Sequence, residues 1–422
     1  MMTNSKLESK KILFATYSSE GHINPLTGLA KYLQEQGCDV RFYLSDHFDA
    51  RMKSLGIDYY PISKSNDTNS ETVRKQYPEL ATVNDPVEKH KIYQKILVKT
   101  AKDSFDDIQD IYRSFPFDLV ITTCAYLSIP LIRYKFQVPV VSVGVIPLAE
   151  DEGGTAKTSQ TDTGNPINFK DGSNPYAELL TAQGVPFKKA EIVNILSFLT
   201  RQANLYLQIG SPKFEYQHDH LGHNIRYVGA LPPYVKAVTE RKWYDQRLNE
   251  YDRIVFVTQG TVESDTAKLI EPTLQAFINT DTLVIATTGG KGTAQLKEKY
   301  AANNLIIEDY IPYADVMPYA SAYITNGGYG GTILSIQNRL PLVAAGVHEG
   351  KNEVCARIGY FKIGIDLKTE KPGAKAIYDA VQEILQNRIY KNNIVNLAED
   401  LKSYDSLALS LKYIRELLDQ ED

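Results

Sequence analysis

The stretch KILFATYSSEGHINPLTGLAKYLQEQGCDV, residues 11–40, decides the fold. Its apolar run, Ile12 to Ala15, is bounded by turn residues and reads as a buried strand of a parallel sheet. Ser18-Ser19-Glu20-Gly21-His22 reads as a loop. Asn24 as cap and Pro25 at the first position predict a helix start there. Leu26, Leu29, Ala30 and Leu33 keep one apolar face through that helix. Gly37 ends it, and Val40, Phe42 and Leu44 alternate as the next strand. Strand, helix and strand in such a span make a βαβ unit of ~30 residues.

The pattern continues outward. Leu119–Thr122 and Val138–Val145 read as further buried strands, with a helix over Ala125–Phe136 between them. Residues 151–175 carry few apolar side chains and read as a long loop. The grammar then restarts. Ile254–Thr258, Leu283–Thr287, Leu305–Ile307, Ala322–Thr325 and Leu342–Ala344 read as strands with helices between, followed by a helix over Ala374–Gln386. The chain therefore predicts an α/β protein of two Rossmann-like domains, residues 1–235 and 236–403, each with a mostly parallel sheet. A last helical stretch, 404–422, has Leu407, Leu411, Ile414 and Leu418 on one face.

Composition agrees. At ~150 residues per domain, 422 residues suggest two or three domains. With 43% hydrophobic and 23% charged residues the chain can bury sizeable cores, which excludes wholesale disorder. A net charge of −5 argues against a general nucleic-acid binder. Cys38, Cys124 and Cys355 form neither a disulfide framework nor a zinc pattern. No window approaches the ~20 apolar residues of a membrane span, and no secretory leader is legible. The expected compartment is the cytoplasm, with no integral membrane segment.

In parallel sheets, ligands bind beyond the carboxyl ends of the strands. Two clusters lie there. His22 precedes a helix whose positive end disfavours imidazolium. It reads as a general base, or as a histidine that only caps or packs. Thr325-Asn326-Gly327-Gly328-Tyr329-Gly330-Gly331-Thr332 follows a strand and opens a helix. Its glycines admit a ligand close to the backbone, and helix-start N–H groups bind anions. It reads as a diphosphate cradle, or as a plain turn. Thr258-Gln259-Gly260-Thr261 and Thr287-Thr288-Gly289-Gly290 could wall the same pocket. His218, His220 and His223 have no zinc spacing. Asp103, Asp106, Asp107 and Asp110 read as the solvated face of a helix.

These clusters resemble the nucleotide-sugar-dependent glycosyltransferases of family 1, which include macrolide, flavonoid and plant natural-product glucosyltransferases. The resemblance runs from residues 11–40, through VFVTQGT (255–261), to YIPYADVMPYASAYITNGGYGGTILSIQNRLPLVAAGVHEGKNEVCARIG (310–359). It implies a GT-B fold, with acceptor binding in the first domain and donor binding in the second across a cleft. It also implies that the last helix crosses back to the first domain. His22 aligns with the family's catalytic base, and inversion at the anomeric carbon is expected. The implied partners are a UDP- or dTDP-sugar and a small-molecule acceptor, with no metal and no other cofactor. Tyr310 stands where an aromatic stacks on the nucleotide base, and Ile311 where backbone groups bond it. Asn326 replaces a diphosphate-binding histidine. Gly328, Gly330, Gly331 and Thr332 would line the diphosphate, with Gln259 and Thr261 approaching from the other loop.

The departures are specific. The carboxylate that orients the base histidine is replaced by Thr123, which stabilises imidazolium less; either another acid serves, or the acceptor is itself acidic, such as a phenol. The pair that binds sugar hydroxyls falls near Gly350-Lys351, with Glu349 just before. The ribose-binding glutamate falls at Ser335. Two other functions fit the same scaffold. A nucleotide-sugar epimerase or hydrolase would turn over donor without acceptor, and a catalytically inactive partner protein would bind without turnover.

Overall fold

A computed structural model describes residues 7–65, 76–83, 85–148, 174–188, 192, 194–216, 221–234, 242–260, 263–348 and 350–421. The loop read at 151–175 lies outside these, apart from its last two residues. The chain divides into two compact units. The first comprises Met1–Ile209, Gln217–Lys236 and Tyr404–Asp422; the second comprises Gly210–Tyr216 and Ala237–Ser403.

The first unit is built on seven parallel strands: β1 (Lys11–Ala15), β2 (Asp39–Leu44), β3 (Asp58–Pro61), β4 (Leu119–Thr123), β5 (Val140–Gly144), β6 (Leu205–Ile209) and β7 (Ile225–Gly229). Their order is β3-β2-β1-β4-β5-β6-β7. β4 and β5 are buried at every position, so their side chains are apolar or small on both faces. A 29-residue helix, Pro86–Ser114, covers one face with Phe105, Ile108 and Ile111 in a core shared with Leu13, Val120 and Ile132. The C-terminal helix Ser406–Glu421 packs against the helix Glu20–Glu35 and against β6 and β7, burying Leu411, Ile414 and Leu418.

The second unit repeats the plan with six parallel strands: β8 (Arg253–Thr258), β9 (Thr282–Thr287), β10 (Leu305–Glu308), β11 (Ala322–Thr325), β12 (Leu342–Ala344) and β13 (Gly364–Asp366). The order is β10-β9-β8-β11-β12-β13. In each sheet the strand order reverses once at the centre, between β1 and β4 and between β8 and β11. These are the topological switch points, where the connections leave to opposite sides and open a crevice at the strand ends.

Two predicted boundaries move. The helix read from Asn24 begins at Glu20, with Ser19 as its N-cap and Pro25 inside it. Pro25 is the sixth residue of that helix, past the first turn, so it omits one intrahelical bond, to Gly21 O. The helix read over Ala125–Phe136 begins at Ile129. Ala125 takes a left-handed conformation, φ 67°, which breaks the chain after β4. Pro130 then sits in the first turn, where it suits a helix start.

Candidate functional site

The first switch point gathers Thr16, His22 and Thr123. β1 and β4 pair in parallel, Phe14 opposite Ile121, so the residues just beyond come level. Thr16 Oγ1 lies 2.6 Å from Thr123 Oγ1, and both residues are buried. His22 is in the first turn of its helix, half-buried, with Nδ1 2.6 Å from Thr123 Oγ1. Burial lowers its pKa from 6.5 to about 4, so the imidazole is neutral at pH 7. The Tyr17 ring meets it edge-on at 5.6 Å between centroids. Tyr17 donates its own hydroxyl to Ala125 O at 3.1 Å, and burial pushes that phenol up to about 12. Arg51 pins the helix start through Glu20 at 2.6 Å and through the Asn24 side chain.

The second switch point gathers two loops. Thr258 pairs with Thr325, so Gln259-Gly260 and Asn326-Gly327-Gly328 leave neighbouring strand ends. The Asn326 Nδ2 donates to Gln259 O and ties them together. Gly327 has φ 85°, and a Cβ there would lie 2.4 Å from Cys355 Sγ, so no other residue fits. Gly328 caps the helix Tyr329–Gln337. The amides of Gly330 and Gly331 lie in its first turn, where the helix itself supplies no acceptor. Gly330 is exposed, so this turn is open to an anion.

Tyr310 is 71% exposed and donates its hydroxyl to Gly289 O at 3.0 Å, setting its ring beside Gly290. Ile311 is buried, which leaves only its backbone for a ligand. Gly350 has φ 76° and caps the helix Lys351–Tyr360, and Lys351 N donates to His348 O at 3.0 Å. Thr261 and Glu349 lie outside the described residues.

Two expected side chains, Gln259 and Thr332, are occupied elsewhere, as is the serine that replaces the ribose-binding glutamate. Gln259 is buried; its Oε1 accepts from the amides of Leu269 and Ile270 at 3.1 and 2.9 Å, and its Nε2 donates to Asp265 O at 2.9 Å. Its amide oxygen caps the helix Ile270–Phe277, and both of its side-chain polar atoms are engaged within the fold. Thr332 is fully buried and donates its hydroxyl to Gly328 O at 3.0 Å, so it closes the helix turn. Ser335, at the position of the family's ribose-binding glutamate, is buried with its hydroxyl on Leu340 O at 2.7 Å. Asp107 departs from a solvated face: it is buried, takes the Tyr43 hydroxyl at 2.8 Å and accepts from the amides of Ser63 and Lys64.

Residues not read from the sequence complete the site. Thr16 is one; its position directly after β1, level with Thr123, was the available signal. Glu370 is another. It accepts from the amides of Val347 and His348 at 3.4 and 3.2 Å and pairs with Lys268 at 3.1 Å, which also pairs with Glu263. This network holds the loop that leads to Gly350. Arg357 is a third. It bonds Glu215 at 3.0 Å, both side chains being 2% exposed, and lies 4.4 Å over the Tyr216 ring. It ties Gly210–Tyr216 to the helix that starts at Lys351. No local pattern marks these pairs, because their partners are far apart in sequence. Among the described residues no group of three or more His, Cys, Asp or Glu side chains is placed to hold a metal. His223 is exposed, and His218 and His220 lie outside the described residues. No described helix is long and apolar enough to cross a membrane.

Residues 202–403 match the model of the UDP-glucoronosyl and UDP-glucosyl transferase family, and residues 12–137 match the glycosyltransferase family 28 N-terminal domain. Over 97% of the chain and 99% of the relative, the sequence is 25% identical to 4'-demethylrebeccamycin synthase of Lentzea aerocolonigenes. It is 27% identical to UDP-glucosyltransferase 1 of Beauveria bassiana, with 94% of each chain covered. Among solved structures, the calicheamicin glycosyltransferase CalG4 superposes with a TM-score of 0.76 at 17% identity, covering 98% of this chain and 99% of that one. VinC, solved with dTDP, superposes with a TM-score of 0.69 at 16% identity, covering 97% and 100%. The two parallel-sheet units are thus those of the GT-B fold.

Proposed function

The chain belongs to the family-1 nucleotide-sugar-dependent glycosyltransferases, and we propose that it moves a sugar, glucose in the first instance, from a UDP- or dTDP-sugar to a hydroxyl of a small hydrophobic or phenolic natural product. His22 is the general base in this reading. The observation that carries it is the hydrogen bond between Nδ1 of a neutral histidine and Thr123 Oγ1, which leaves Nε2 for an acceptor hydroxyl. As the acceptor oxygen attacks the anomeric carbon, Nε2 takes its proton and the bond to the diphosphate oxygen breaks, so the configuration inverts.

The nucleotide base stacks on Tyr310 and meets the backbone at Ile311. The diphosphate sits on the amides of Gly328, Gly330 and Gly331, where the helix start stabilises the departing charge without a metal ion. Asn326 orders that turn through Gln259 O, and Gly350-Lys351 lies toward the sugar. Thr123 supports a developing imidazolium less than a carboxylate would, which favours an acceptor hydroxyl that is already acidic. The UDP-glucosyltransferase names among the relatives support UDP-glucose; the dTDP held by VinC keeps dTDP-sugars in play. Three buried, unpaired cysteines fit a cytoplasmic setting.

The test is a thermal-shift panel of UDP, dTDP, GDP and ADP, then the sugar forms of whichever binds, then transfer to a simple phenol. A ligand at 100 times its Kd raises stability by ~2.7 kcal/mol, a readable shift. A shift with UDP or dTDP, and phenol glycoside formed by the wild type but not by His22→Ala, is the expected result. Donor consumed without acceptor points to a hydrolase or epimerase. No shift with any nucleotide in folded protein sinks the donor site.

A further inference from the structure

We propose that Thr16 is a positioning residue that sets the tautomer of His22, acting through Thr123. The inference rests on His22 being the base and concerns what fixes its proton. For Nε2 to accept a proton it must carry none, so Nδ1 must hold the ring's single proton. Nδ1–H then donates to Thr123 Oγ1 at 2.6 Å. That hydroxyl has one proton of its own, which must point to a second acceptor. Among the hydrogen bonds of the described residues, its other partner is Thr16 Oγ1 at 2.6 Å.

Burial makes this pairing decisive. Thr123 is 0% and Thr16 2% exposed, so bulk water does not compete for the proton. The three atoms form one chain, and the direction a base requires runs from His22 Nδ1–H to Thr123 O–H to Thr16 Oγ1. Run the other way, Thr123 donates to Nδ1, the proton moves to Nε2, and His22 cannot take one from an acceptor. A carboxylate at position 123 would carry no proton and would fix the tautomer alone. A hydroxyl serves as donor or acceptor, and with Nδ1 as its one partner Thr123 would donate to it; Thr16 Oγ1, able to accept as well as donate, gives that proton a second place to go and so makes the Nδ1–H tautomer available. The neighbouring strands β1 and β4 supply that group by bringing Thr16 level with Thr123. When Nε2 has taken up the acceptor's proton, both ring nitrogens are donors. Only the first direction then satisfies Thr123, so Thr16 supports the charged intermediate as well.

The test reads the tautomer directly. The protein is labelled with 15N-histidine, and long-range 15N–1H correlations are recorded at pH 7. His22 is assigned among the seven histidines by the peak lost in His22→Gln. The wild type is expected to show His22 protonated at Nδ1. Thr16→Val, which removes the oxygen and keeps the shape, is expected to move the proton to Nε2. In the same variant kcat for phenol transfer falls about tenfold, the size of one buried hydrogen bond, with KM unchanged. Thr16→Ser restores both. A wild type already protonated at Nε2 overturns the proposal without any variant. So does a Thr16→Val protein that keeps the Nδ1–H tautomer. If the tautomer inverts while transfer is unchanged, Thr16 positions His22 as proposed and the base assignment fails. If the tautomer stays while His22→Gln abolishes transfer, the base stands and the role of Thr16 falls.

Discussion

The two switch points share a topology and are furnished in opposite ways. At β1 and β4, side chains bridge the strand ends: two buried hydroxyls and an imidazole in contact, all within one hydrogen-bond chain. At β8 and β11, among the described residues, the Asn326 amide spans to a backbone carbonyl, and Gly260, Gly327 and Gly328 stand beside it. In the function proposed above, the first crevice is filled to hold one proton acceptor, and the second is emptied so that backbone amides can reach a ligand. One architecture thus yields a reactive group or an anion cradle, according to whether the residues after the strands bring polar side chains or dispense with them.

The largest expected effect falls on the filled site. His22→Gln removes the proton acceptor while filling similar space, and should lower kcat by roughly 10²- to 10⁴-fold. Nucleotide binding, measured by calorimetry, should not change, because that site lies in the other unit. A parallel loss of nucleotide affinity would break the division of labour. The pH dependence follows from the same group. His22 titrates near 4 in the folded protein and at the usual 6.5 when unfolded. Activity should therefore hold from neutral pH down towards pH 4. Between these values the unfolded chain binds more protons, so stability falls as the pH drops from about 6.5 to 4. That slope should be smaller in His22→Gln, as read by denaturant titration at several pH values.

Next comes the emptied site. Gly327→Ala forces a Cβ into Cys355 Sγ at a left-handed backbone position. It should cost about 2–4 kcal/mol of stability, read as a lower denaturation midpoint, and weaken nucleoside diphosphate binding. The pairing Gly327→Ala with Cys355→Ala should recover part of the loss, because the overlap goes and the backbone strain remains. Full recovery would show that the conformation costs nothing and that glycine serves only for space.

The contrast also explains what was legible in the sequence. The cradle could be read because glycines, a strand and a helix start occur in one run of eight residues. His22 was legible for the same reason, and its contact with Thr123 followed from the family pattern. Thr16 was not, because a threonine after a strand carries no signal until the neighbouring strand is known. The strands β3, β6, β7 and β13 escaped as well. β3 is a half-exposed edge of four residues, and β13 has only three. β6 and β7 follow a short helix and a loop that hide their rhythm. Gln259 and Thr332 mislead in the other direction. Each is polar and near the ligand loops, but each spends its polar atoms on a helix end or a turn. Sequence shows that a donor exists; it does not show whether the fold has already used it.

A smaller effect is expected at Tyr310. Its exposed ring is the proposed stacking surface for a nucleotide base, and Tyr310→Ala should weaken nucleotide binding by ~1–3 kcal/mol. Tyr310→Phe separates the ring from its bond to Gly289 O and should lose less. If Phe loses as much as Ala, the hydroxyl's hold on the 289–290 loop matters more than the stack.

The smallest effect tests whether the cradle is made of backbone. Thr332 borders it but is buried with its hydroxyl on Gly328 O. Thr332→Val keeps the volume and removes that bond. Stability should fall by ~1 kcal/mol, and affinity for UDP or dTDP should change by no more than about twofold, roughly 0.4 kcal/mol. Thr332→Ser should behave as the wild type in both. A tenfold loss of affinity in the valine variant, with the serine variant intact, would mean that the hydroxyl turns to the diphosphate when it binds. The second switch point would then be furnished by a side chain after all, and the contrast with the first would narrow to the presence of a titratable group.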